Sequence, residues 1–331
     1  MEYRLSGKSR ISRVGLCYFL LMLLTQTLQM LAAGLLYDSL ADTTWGIWAI
    51  SYVPLYGIAV PVFLLMMKKL APNAPGRFGT QTLSAGGWVR WAFLSLGATY
   101  LLNLVSTLLT SLLAALKGGA VENPLALMQE GSSPLMMLLF AGILAPVGEE
   151  YLFRKLLWDK LGSCGERLYI LMGGFIFALF HANLSQLLYA FVLGAAFCYI
   201  YARTGKLRYT VALHITINIF GSVLMPMLAL SGSEAAAGAA GVLVIVLIIV
   251  GVILAARGRW KFPPEPQQGS AAGETPNEQA DAPMPQEEGP QQEAPAQKEP
   301  ALTFGRALLA PGMLAYTALC VVLILIVTFA V

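Results

Sequence analysis

Charge is scarce in this chain. Only 12% of its 331 residues are Asp, Glu, Lys or Arg, about half the ~25% usual in soluble domains. Another 57% are hydrophobic, with a mean hydropathy of +0.68. That balance excludes an ordinary soluble fold and leaves a polytopic membrane protein. The net charge is +3, and no basic run is interleaved with aromatics, so nucleic acid is excluded as a partner. Cys17, Cys164, Cys198 and Cys320 lie far apart without metal-ligand spacing and read as free thiols. No internal repeat of the kind that marks secondary transporters is present. Histidine is rarest of all, with two residues, His181 and His214.

Long apolar runs fill the chain instead. They fall at about 14–37, 45–67, 88–116, 134 to the Arg154–Lys160 cluster, 168–182, 187–201, 209–230, 235–256 and 308–331. Lys and Arg collect at every second boundary: Arg4 to Arg13, Lys68 to Arg90, Arg154 to Lys160, Arg203 to Arg208 and Arg257 to Lys261. Because basic residues are retained on the cytoplasmic side, this places the N-terminus and those loops inside. The first run is too long for the core of a cleaved signal peptide and reads as a retained span. The expected fold is therefore all-α: a multi-pass bundle in the cell membrane, with an eight-helix core and a ninth C-terminal transmembrane helix.

The expected units are 1–133 with three spans, 134–256 with spans four to eight, a linker at 257–307, and a helix at 308–331. From 263 to 300 the chain is Pro, Gln, Glu, Gly and Ala with almost no large apolar residue. It cannot bury enough surface to offset its ordering entropy and should be a disordered cytoplasmic linker. The last span carries little polarity, so an anchoring role or a lateral partner is expected of it.

The fourth run contains Glu149, Glu150 and Arg154. A charge at mid-bilayer costs at least ~2.5–3.5 kcal/mol on insertion scales, so three together point to function. Both histidines fall in later runs, His214 with Asn218 at i, i+4. A turn at 162–165 makes spans four and five a hairpin. Glu149 precedes Cys164 by fifteen residues and His181 follows it by seventeen, which puts both at one depth at ~1.5 Å per residue. Small residues set each group on a packing face: Ala141 and Ala145 before Glu149, Gly174 and Ala178 before His181. Pro146 disfavours the helical bond to the Gly142 carbonyl and could kink the helix. Arg154 is four residues after Glu150, the spacing of an ion pair, which leaves Glu149 to act on water. Asn218 has two open readings, a bond to an interhelical carbonyl or a place in the site.

The ordered set Glu149-Glu150-x-x-x-Arg154, Phe177-x-x-x-His181 and His214-x-x-x-Asn218 resembles the motifs of the CPBP family of intramembrane proteases. That family includes the type II CAAX prenyl endopeptidases and the bacterial Abi, or bacteriocin-processing and immunity, proteins. The resemblance covers about 134–221 and implies a metalloprotease-type endopeptidase acting on a peptide or protein substrate. It implies that Glu149 and His181 activate the water, that His214 and Asn218 complete the site or hold the oxyanion, and that Glu150, Arg154 and Phe177 support it. A divalent metal, zinc for choice, could be held by Glu149, His181 and His214; a carboxylate-activated water without metal fits the same residues. The site is expected to face the cytoplasmic side. The alternative is a non-catalytic immunity or binding protein on the same fold.

Overall fold

The computed structural model describes residues 5–40, 43, 45–121, 123–124, 128, 132–258, 261–262 and 302–329. Most of the expected linker, and the basic residues Arg4 and Arg259, lie outside the described residues. Every regular element among the described residues is a helix. They are α1 (Gly7–Leu40), α2 (Gly46–Leu70), α3 (Ala85–Lys117), α4 (Pro134–Cys164), α5 (Glu166–Phe180), α6 (Leu184–Thr204), α7 (Leu207–Ala229), α8 (Glu234–Ala256), the short α9 (Phe304–Leu308) and α10 (Pro311–Phe329).

All of these except α5 and α9 are long and apolar enough to cross a membrane, which makes eight. The expected fifth span is instead the fifteen-residue α5, ~22 Å long against a hydrocarbon core of ~30 Å. Both of its ends are fixed by reversals. Gly165 enters it at φ 105°, which only glycine adopts without strain. At the other end His181 is the C-cap and Ala182 turns the chain with φ 50°. Asn183 then caps α6 by accepting from the Gln186 N–H. The two helices pack closely. A Cβ added to Gly174 would lie 2.8 Å from the Phe191 carbonyl oxygen, and one on Gly194 would lie 2.9 Å from the Gly174 Cα.

The C-terminal helix has one face inside this core. Met313, Tyr316 and Cys320 are fully buried, and Gly15 of α1 sits so close that an added Cβ would lie 2.5 Å from the Met313 nitrogen. The Tyr316 hydroxyl donates to the Ile176 carbonyl of α5 at 2.8 Å, and the Tyr18 hydroxyl of α1 donates to the Leu152 carbonyl of α4 at 2.9 Å. This face braces α5 within its own chain, alongside the expected role as an anchor. Leu314, Val321, Val322, Leu325 and Ile326 stay exposed on the remainder, as a lipid-facing side would.

The bundle has two distinct ends. At one, Arg10 donates to the Pro72 carbonyl at 2.6 Å, the Ala74 N–H donates to the Asp159 carbonyl, the Gly79 N–H donates to the Ala202 carbonyl, and Arg203 pairs with Glu166 at 2.7 Å. These contacts gather the start of α1, the end of α2, the end of α4, the start of α5 and the end of α6. At the other end the Trp48 indole donates to the Ser132 hydroxyl at 2.9 Å, and Lys117 donates to the Thr328 carbonyl at 2.9 Å.

Candidate active site

Glu149 and Glu150 follow one another on α4 and meet opposite environments. Glu150 is fully buried, and its Oε1 lies 2.8 Å from Nη2 of Arg154, which is equally buried. The guanidinium is held between the rings of Phe177, 4.4 Å away, and Phe197, 5.5 Å away. The pair is close but poorly directed. Neither Glu150 Oε2 nor the Arg154 guanidinium nitrogens have a well-aligned hydrogen bond among the described residues, so the contact is better read as charge against charge than as a bidentate bond. Within the expected boundary cluster of Arg154 to Lys160, Arg154 lies inside the bundle and not at its edge, since it is fully buried and α4 runs on for ten residues to Cys164.

Glu150 has a second partner. His214 Nδ1 lies 2.9 Å from Glu150 Oε1, where a carboxylate oxygen can only accept, so Nδ1 carries a proton and, in the neutral ring, Nε2 presents a lone pair. That lone pair is 3.7 Å from Glu149 Oε2, too far for a hydrogen bond. His181 repeats the arrangement. Its Nδ1 lies 2.8 Å from the Phe177 carbonyl oxygen, an obligate acceptor, so in the neutral ring its Nε2 also keeps a lone pair. Both imidazoles stand edge-on to the Phe177 ring, with centroids at 4.8 Å and 5.8 Å. Phe177 therefore touches Arg154, His181 and His214 at once, which no spacing argument could have shown.

Glu149, His181, His214 and Asn218 line one cavity of about 440 Å³, within the usual range for a ligand site. A larger apolar groove of about 580 Å³ lies between α3, α6 and α8. It has no acid or histidine in its lining, whereas the smaller space has Glu149 and both histidines. Of the Glu149 side chain, 17% stays accessible, against none of Glu150.

Asn218 reaches the cavity by way of a break in α4. Residues Met137–Leu144 form a π-helical stretch, where the Ala145 N–H bonds to the Phe140 carbonyl five residues back. In that register the next residue would bond to Ala141, but it is Pro146 and has no N–H. The expectation that the proline would free the Gly142 carbonyl is corrected to Ala141. The Asn218 amide takes that oxygen at 2.9 Å, leaving its second N–H. Replacing Asn218 by leucine should leave the carbonyl unpaired and cost about 1–3 kcal/mol. A melting curve in detergent unchanged from wild type would contradict this.

The sequence reading missed the tyrosines of this cavity. Tyr52 and Tyr56 of α2 and Tyr189 of α6 all line it. Tyr56 comes close because Gly148 has no side chain: a Cβ there would lie 2.7 Å from the Tyr56 ring. The i, i+4 spacing of Tyr52 and Tyr56 around Pro54 was the available signal, but tyrosines in membrane helices are too common for it to stand alone.

Metal fit is mixed. Each imidazole spends Nδ1 on an oxygen acceptor and keeps Nε2, the orientation found in metal-bound histidines. Among the described residues, however, no three His, Cys, Asp or Glu side chains are grouped closely enough to hold an ion.

Comparison with known proteins reaches the same segment. Residues 131–220 match the family described as type II CAAX prenyl endopeptidase Rce1-like, in keeping with the resemblance of the motifs. The Bacillus subtilis protein named "Putative membrane peptidase YdiL" is 26% identical over 180 residues, which cover 53% of this chain and 70% of that one. No solved structure matches.

Proposed function

We propose, on the premise of that family match, that the chain is an intramembrane endopeptidase using Glu149 as general base. The observation that carries this reading is the meeting of the Glu149 carboxylate and two Nε2 lone pairs around one cavity. A carboxylate and two neutral imidazoles lining the same space suit a water molecule as a shared donor. A water molecule held there would give its proton to Glu149 and attack a peptide carbonyl. The free N–H of Asn218 and the phenol of Tyr56 are donors for the oxyanion that forms. Glu150 positions His214 through Nδ1, so that Nε2 can take part in moving the proton on to the leaving amine. The membrane excludes competing solvent, and the bilayer and the peptide substrate are the partners this chemistry needs.

The orientation of the two Nε2 atoms also favours a metal-assisted form. Glu149, His181 and His214 are the residues that would hold zinc, provided they draw closer together than they lie here, and the ion would supply a Lewis acid and an acidified water. The test is cleavage of a fluorogenic peptide by the pure protein in proteoliposomes, with metal analysis and chelator in parallel. Cleavage lost in His181→Ala with normal folding supports the hydrolase. Stoichiometric metal together with chelator sensitivity supports the assisted form, and activity that survives in metal-free protein retires it. A full protective phenotype from Glu149→Gln and His181→Ala proteins would point to the binding or immunity protein instead.

A further inference from the structure

The lining of the catalytic cavity comes from one half of the bundle. On α1 it uses Gln26 and Gln29, beyond the helix midpoint, and on α2 it uses Trp48 to Tyr56, in the first half. It includes Pro124 and Met128 between α3 and α4, and Val327 near the end of α10. Each of these positions lies toward the end where Trp48 meets Ser132 and Lys117 meets Thr328. Conversely, Arg10, Arg13, Lys68, Lys69, Lys160, Arg203 and Arg208 all sit on helix termini at the opposite end. Among the described residues Lys117, at the other end, and Arg154, buried within α4, are exceptions. An opening on the side of the basic loops was expected; this lining favours the other end.

We infer that the cavity is entered from the extracytoplasmic face, so that its substrate is a polypeptide segment presented there. The step from geometry to side is the retention of basic residues in the cytoplasm. The character of the passage fits that substrate. Beyond the acid and imidazoles its polar groups are neutral, among them the amides of Gln26, Gln29, Gln186 and Asn218, the hydroxyls of Ser51 and Ser222, and the tyrosines. Amides and hydroxyls pair with peptide N–H and C=O groups without selecting for a charged side chain. Gln29 already does this within the chain, donating to the Ser51 carbonyl at 2.9 Å. The inference rests on this cavity being the hydrolytic site.

Its test is thiol accessibility, which requires no turnover. Native Cys164 is half-buried at the basic end, whereas Cys17, Cys198 and Cys320 are fully buried. In wild type, a membrane-impermeant maleimide should label Cys164 in inverted vesicles and not in intact cells. In Ser51→Cys/Cys164→Ser the pattern should reverse, with at least tenfold faster labelling in intact cells. Gln29→Cys/Cys164→Ser gives a second position should the first variant fail to accumulate. Labelling at the cavity from the same face as Cys164, or from neither face, overturns the inference. Outer-face labelling of a protein without peptidase activity would keep the access side and sink the hydrolase.

Discussion

Replacing Glu149 by glutamine is expected to lower peptide cleavage by about 10²–10⁴-fold, the range for loss of a general base, while leaving the melting temperature close to wild type. Glutamine has the shape of glutamate and no basic carboxylate. The side chain is 17% accessible in the cavity and its Oε2 stops 3.7 Å short of His214 Nε2, so no short ion pair is lost. Folding should therefore not register the change. Activity within a few-fold of wild type, in protein that inserts normally, would remove Glu149 from the chemistry and the base assignment with it.

Its neighbour should behave in the opposite way. Glu150→Ala strips the nearest counterion from an Arg154 guanidinium that has no exposure and lies between the faces of Phe177 and Phe197. Breaking a buried pair on one side costs about 3–5 kcal/mol, a large part of the 5–15 kcal/mol that holds a typical domain together. The expected result is protein lost from the membrane fraction, or melting well below wild type. Removing both charges with Glu150→Gln/Arg154→Met should recover much of the loss, because no unpaired charge remains and glutamine still offers His214 Nδ1 an acceptor. A Glu150→Ala protein with wild-type abundance and melting would show that the buried charge is compensated by something other than Glu150.

The contrast between adjacent glutamates was half legible in the residues. The i, i+4 spacing picked Glu150 as the partner of Arg154, because helix geometry alone brings those side chains together. Nothing in that spacing shows that the same carboxylate oxygen also holds His214, since the second contact depends on how α7 lies against α4. Pro146 is a similar case. Its missing N–H is a property of the residue, but which carbonyl it frees depends on the π register that tertiary packing imposes on Met137–Leu144. For α5 the apolar pattern gave the right length, fifteen residues at 168–182 against Glu166–Phe180, but not that the helix stops short of a span, which shows only once the reversal at Ala182 is seen.

By itself, then, the amino-acid order determined that the chain is helical and membrane-embedded, and which few polar residues stand apart within its apolar runs. These are local matters of hydropathy, spacing and the cost of charge in hydrocarbon. Only the tertiary structure decided that Phe177 joins Arg154 to both histidines, that α10 braces α5, that Tyr52 and Tyr56 enter the site, and which end of the bundle the cavity reaches. Each of those depends on the rotation and depth of one helix against another. Apolar faces that are interchangeable in composition leave these undetermined until the side chains pack.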